Sequence, residues 1–406
     1  MCWRRLPANT ARPSASSLGI EMATEAVNTE AAGAAAAAAM TAGILPDRDI
    51  AALIRDGRIS AEGGVDPSQI QPASLDLRLG TTAWRVRASF LPGKTSTVRA
   101  KIDRLQMHRI DLTRPTVLEK GCVYIAELME TLDLPADIAG SANPKSSTGR
   151  LDIFTRLITD GGAEFEGVAA GYRGRLYVEI MPHTFSVLAQ QGTRLNQIRF
   201  MRGDPPSSDS GLSELDQTLR LVYGESEGPL PAMIRNGLWV SVDLEGDSSQ
   251  GIIGYRAKHH APLIDLSRIS HYDPLDFWEP IQRNADRSLV LNPDDFYILV
   301  SRERVRIPTS YAASMVPYDP SVGEFRIHYA GFFDPGFGYG SSNLRGARAV
   351  LEVRSHDVPF LIEHGQDVGR LIYERLLGEP EKIYGTNIGS NYQSQGLKLS
   401  KQFRPL

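Results

Sequence analysis

The stretch Phe325-Arg326-Ile327-His328-Tyr329-Ala330-Gly331-Phe332-Phe333-Asp334-Pro335-Gly336-Phe337, followed by Ala349-Val350-Leu351-Glu352-Val353, decides how the chain is read. Its first part alternates apolar and polar residues, the period of a half-buried strand. Asp334-Pro335-Gly336 then breaks the pattern with turn chemistry: Pro presets φ, and Gly lets a ligand approach the backbone closely. Ala349–Val353 returns as an apolar strand carrying one carboxylate, Glu352. The expectation is a β-hairpin with a turn that faces a ligand and a carboxylate on its return strand.

Working outward, short apolar segments bounded by Gly, Pro or Asp recur on both sides: Ser74–Leu79, Val123–Leu128, Leu176–Ile180, Tyr297–Val300 and Arg370–Leu376. All read as strands. A helix is expected at Asp47–Gly57, where Ile50, Leu53 and Ile54 share a face and Gly57 stops it. The segments repeat. A shift of 173 residues (297 − 124) carries Tyr124 onto Tyr297, Pro135 onto Pro308, Pro144 onto Pro317, Glu179 onto Glu352, His183 onto His356, Leu188 onto Leu361 and Gly192 onto Gly365. A collinear set at one spacing marks a duplicated β-rich unit. The expected organisation is a disordered N-terminal extension at 1–44, copy one at 45–202 and a linker at 203–233. Copy two follows at 234–380, then a C-terminal closing arm at 381–406 that lacks core-forming residues.

The copies differ where chemistry would sit. Copy one holds Lys145-Ser146-Ser147-Thr148-Gly149-Arg150, in which Lys145, Ser146, Ser147 and Arg150 place two cations and two serine hydroxyls within six residues, a set suited to an anion such as phosphate. Copy two has Tyr318-Asp319-Pro320-Ser321-Val322-Gly323 there, with no cation. Conversely, Asp334-Pro335-Gly336-Phe337 is matched in copy one only by the looser Asp160-Gly161-Gly162. In the arm, Tyr392 with Gln393 and Gln395 joins an aromatic ring to amides, a combination that stacks on and bonds a base or sugar.

Composition narrows the classes. Among 406 residues, 23% are charged and the net charge is −4, which gives no support to nucleic acid held by phosphate neutralisation. No apolar run is long enough to span a membrane. Cys2 and Cys122 cannot make a disulfide framework or a thiolate zinc site. His259-His260 has no Cys or carboxylate at ligand spacing, so no metal site on the protein is expected. The His-x-Glu and Pro-Cys-x-x-Cys signature of zinc nucleobase deaminases is missing. These features together read as a cytoplasmic protein.

Taken together the motifs resemble the dCTP deaminase family of the dUTPase-like superfamily, in its long tandem-domain bacterial form. Gln69–Gly80 is similar to the family's first motif, and Lys145–Arg150 to its triphosphate-binding Ser-Ser-x-x-Arg segment. Ala330 with Asp334-Pro335-Gly336-Phe337 and Glu352 is similar to the nucleoside hairpin and catalytic Glu, and Tyr392–Gln395 to the closing arm. The resemblance implies a mainly β protein of two tandem dUTPase-like β-barrel or jelly-roll domains with a few short helices. It implies zinc-independent hydrolysis of dCTP to dUTP and ammonia, with Glu352 as general base and a carbonyl near Ala330 holding the water. Lys145, Ser146, Ser147, Arg150, Asp334, Gly336, Tyr392 and Gln395 would bind substrate. It further implies Mg²⁺ with the triphosphate, and a homo-oligomer, a trimer foremost. Two readings stand beside it: a dUTPase or bifunctional deaminase–diphosphatase, and a nucleotide-binding β module without catalysis. The sequence departs from the family pattern at Phe332, where many members have Arg, and in the insertion Gly338–Arg345. Glu179 is a second candidate carboxylate. The complementary losses in the two copies predict one composite site, with phosphate groups from copy one and nucleoside groups from copy two.

Overall fold

A computed structural model describes residues 42–205, 207–224, 228, 230–246, 251–317, 325–327, 331–339, 345–355, 358–385 and 396–405. The chain is mainly β. In copy one, the strand Leu75–Val86 pairs at its far end with Val123–Asp133, which pairs in turn with Arg173–Pro182 and so reaches Ile153–Thr159. The near end of Leu75–Val86 pairs with Arg194–Arg202, and that strand pairs with Ile138–Pro144. One strand therefore serves both walls of a barrel-like fold. The register shifts between Leu79 and Ala83, beside Gly80, where a Cβ would lie 3.0 Å from the Glu127 carbonyl. A side chain there would press on the neighbouring backbone, so glycine suits the close approach.

Copy two repeats the same ladders. Glu179 faces Ile125, and 173 residues on Glu352 faces Ile298. Gln197 faces Asn143, and Arg370 faces Val316. Val187 faces Leu118, and Phe360 faces Leu291. At these positions the sequence repeat is thus a repeat of strand pairing. That follows because a slip of one position would turn every apolar side chain outward.

The copies share a core. Tyr255, Phe277, Trp278, Phe296 and Ile298 of copy two are buried in one cluster with Leu77, Phe185, Val187 and Phe200 of copy one. Phe185 meets Phe277 and Trp278 edge-on, with centroids 5.9 and 5.5 Å apart. A second cluster, including Val240, Leu299, Leu351 and Leu371, lies within copy two.

Several expectations change. The helix forms over Asp47–Arg55, with Gly57 just beyond it at φ +70°. Gly43–Ile44, expected in the extension, is a strand paired with Met201 and Arg202, and Ile44 is fully buried. The expected linker contains the helix Asp209–Leu219. The Ser208 side chain accepts from the Gly211 N–H to cap it, and Leu212 ties it to the core of copy two. The opening stretch is not one strand either. Phe325–Ile327 pairs with Ala347–Ser355 as the hairpin reading required, but Phe332–Phe333 crosses to pair with Tyr311–Pro317. The arm also ends in core residues: Leu399 and Phe403 are each 5% exposed, and Phe403 packs against Phe277 and Trp278. Among the described residues no helix is long and apolar enough to cross a membrane.

Candidate active site

A cavity of about 670 Å³ opens where copy one meets the hairpin of copy two. From copy one it takes Asp76, Arg194, Gln197 and the loop carrying Lys145, Ser146, Ser147 and Arg150. From copy two it takes Phe332, Phe333, Asp334, Phe337, Val350 and Glu352, and from the arm Lys401 and Gln402. The cation-and-hydroxyl segment and the carboxylate strand, 202 positions apart (352 − 150), thus face one space.

The loop is held by its neighbours. The Lys145 N–H donates to the Leu195 carbonyl, and Ser146–Gly149 closes one helical turn. The returning arm then seals it. Arg150 Nη1 donates to the Lys398 carbonyl at 2.9 Å, and Ser400 Oγ donates to the Ser147 carbonyl at 2.7 Å. Lys145 Nζ pairs with Asp76, and Arg194 lies 3.6 Å from the same carboxylate. Lys401 sits close enough that burial first, then repulsion from Lys145 and Arg194, lowers its pKa against the pull of Asp76. Three cations around one carboxylate make a basin that favours a polyanion.

The other wall is drier. Glu352 is 6% exposed, and burial holds its carboxyl well above the usual range; Arg150 works against that rise and Asp152 adds to it. Burial also pushes Asp334 up to about 6, with Arg199 and Lys145 opposing and Asp76 assisting. Burial raises the proton affinity of both carboxyls, the direction that strengthens a carboxylate as an acceptor of a proton from water.

Residues 208–403 match the family described as "2'-deoxycytidine 5'-triphosphate deaminase (DCD), C-terminal domain", and residues 41–204 match its N-terminal domain. A solved structure, "Crystal structure of 2'-deoxycytidine 5'-triphosphate deaminase from Agrobacterium tumefaciens", superposes with a TM-score of 0.79 at 53% identity. The match spans 84% of this chain and 100% of that one. The chain belongs to the dCTP deaminase family. Among shorter relatives, proteins named "dCTP deaminase, dUMP-forming" from Nocardioides and Thermobifida fusca are 31% and 28% identical. Those matches cover 40% and 47% of this chain, and 82% and 91% of theirs.

Within this family member, the two candidate carboxylates have different surroundings. Glu352 lines the cavity. Glu179, its counterpart, is 2% exposed and gripped by Arg156, with Nη2 and Nε at 2.6 and 3.1 Å from Oε1. Arg156 in turn stacks 3.5 Å over Phe165. Glu179 is thus tied into an ion pair outside the cavity that Glu352 lines. Gly336 does not line the cavity either. Its φ is +90°, and a Cβ there would meet Ile383 at 2.3 Å, so this glycine serves the packing of the chain entering the arm. Ala330, Tyr392 and Gln395 lie outside the described residues. Sequence reasoning missed Arg194, Lys401 and Arg199. Arg194 and Lys401 carry no motif, and Arg199 reads as one polar residue on an otherwise ordinary inner strand.

Proposed function

We propose that the cavity binds dCTP and hydrolyses its 4-amino group, releasing ammonia and dUTP. The observation that carries this is the meeting of the Lys145–Arg150 loop with Glu352 in one cavity. The triphosphate lies among Lys145, Arg194, Lys401 and the Ser146 and Ser147 hydroxyls, and Arg150 spans from this end toward Glu352. Glu352 takes a proton from water as the oxygen bonds to C4. It then returns that proton to the amine as the C4–N bond breaks. Burial supports the exchange, because it brings the proton affinity of Glu352 closer to that of the groups it serves.

Among the described residues no three His, Cys, Asp or Glu side chains cluster as a metal site. At the phosphate end Asp76 is the carboxylate, and it is engaged by Lys145. This donor set suits an Mg²⁺ ion that arrives on the triphosphate oxygens and neutralises their charge. Withholding Mg²⁺ should raise KM for dCTP, and zinc chelation should leave turnover unchanged. A homo-oligomer, expected from the resemblance, is read by light scattering.

A second reading is favoured by the names of the shorter relatives: the same site also cleaves pyrophosphate from the nucleotide, giving dUMP. Chromatography of a dCTP reaction separates the two. Accumulating dUTP with ammonia supports deamination alone, and dUMP with pyrophosphate supports the coupled reaction. Neither product would leave a nucleotide-binding module.

A further inference from the structure

Arg199 lies on the strand Arg194–Arg202 of copy one and is 1% exposed, yet the partners recorded for its guanidinium belong to copy two. Nη1 donates to the Ala313 carbonyl at 3.3 Å and to Ser314 Oγ at 3.1 Å, and Nη2 to the Phe333 carbonyl at 3.4 Å. Glu374 stands 3.5 Å from Nη1, and Asp334 stands 3.8 Å from Nη2. The guanidinium lies 4.0 Å over the Phe332 ring. Burying a cation is costly unless its surroundings compensate. Here the compensation comes from the segment Phe332–Asp334, which lines the cavity. The Asp334 Oδ1 atom is buried with no hydrogen-bond partner.

We propose that Arg199 is a positioning residue for substrate: it fixes the Phe332 ring, the Phe333 carbonyl and the Asp334 carboxylate as the nucleoside-facing wall. This rests on the reading that the cavity takes dCTP. The stack orients the ring by cation–π attraction, the carbonyl contact fixes the backbone, and the nearby charge orients the carboxylate into the cavity. The charged groups facing Asp334 are Arg199 from the inner strand and Lys145 and Asp76 from copy one, with Glu374 behind Arg199. Arg199 favours the ionised form of Asp334, so its removal raises the pH at which that carboxyl ionises, upward from about 6.

The test is steady-state deamination of dCTP across the acid-to-neutral range, with melting curves alongside. The variants are Arg199→Lys, the charge-balanced Arg199→Met/Glu374→Gln, and Asp334→Asn, which identifies the limb of the pH profile owned by Asp334. The double variant is expected to raise KM about tenfold or more and to move that limb to higher pH. Arg199→Lys is expected to keep the limb near its wild-type position while KM rises less, because the charge stays and the planar stack is lost. Both variants keeping the wild-type KM, kcat and pH profile would overturn the proposal. So would a failure of both to fold, which would make Arg199 a packing residue. An inactive wild type removes the dCTP reading and this inference with it, whereas an active wild type with indifferent variants removes this inference alone.

Discussion

Glu352 and Glu179 occupy the same place in the two ladders and differ in their surroundings. Beside Glu179 the chain supplies Arg156, whose guanidinium donates two hydrogen bonds to Oε1. Beside Glu352 the strand is apolar, and the carboxyl faces the cavity with its proton affinity raised. Glu352→Gln should therefore abolish turnover while an equilibrium titration still detects dCTP binding, since the amide keeps the shape and loses the proton carrier. Glu179→Gln should keep kcat within a few-fold of wild type but lower the melting temperature, because Arg156 loses its anion. A dead Glu179 variant beside a normal Glu352 variant would move the chemistry to copy one. Arg150→Ala should cost about 1.5–3 kcal/mol of binding. That is on the order of ten- to a hundredfold in KM, with kcat less affected. Its contact with the Lys398 carbonyl predicts that part of this loss reflects a loosened arm.

At the level of elements, the arm behaves differently from its composition. Its polar run suggested a segment without core residues, but Leu399 and Phe403 are buried, and Phe403 lies edge-on to Phe277 and Trp278. Phe403→Ala should destabilise the protein by about 3–5 kcal/mol, read as a shift in a denaturant unfolding curve. An unchanged curve would return the arm to the role of a loose terminus. The apolar residues of the arm are scattered among Gly, Ser, Asn and Gln without strand or helix periodicity, so the anchor was invisible to pattern reading, while the partners of Phe403 come from residues more than a hundred positions away. The helix Asp209–Leu219 was hidden for another reason: Pro205, Pro206 and the serines before it dominate the local signal, and the cap Ser208 reads as part of a linker. By contrast, the strands at Leu75, Val123, Arg173, Phe296 and Asp367 were legible, because alternation and Gly/Pro bounds come from the same pleat and turn geometry that forms them. The hairpin at Phe325–Phe337 was half legible. Its pairing with Ala347–Ser355 follows the alternation, but the crossing of Phe332–Phe333 to Tyr311–Pro317 is a choice between two sheets that one strand's pattern does not encode.

For the whole molecule, duplication was legible because strand register preserves spacing, and complementary loss pointed to the meeting of the Lys145–Arg150 loop with Glu352 in one cavity. The lining of the cavity was not legible, since Arg194 and Lys401 reach it only through tertiary folding, as does Arg199 to its place against Phe332 and the Phe333 carbonyl. The cavity draws its phosphate loop from one copy and its carboxylate from the other, and this has a consequence for stoichiometry. Each chain should take up one nucleotide, so a calorimetric titration of Glu352→Gln with dCTP should saturate at about one molar equivalent per chain, with a single affinity. Duplication here would have halved the number of sites per domain, leaving each half free to lose what the other kept. An end point at two equivalents would show that the second seat still binds.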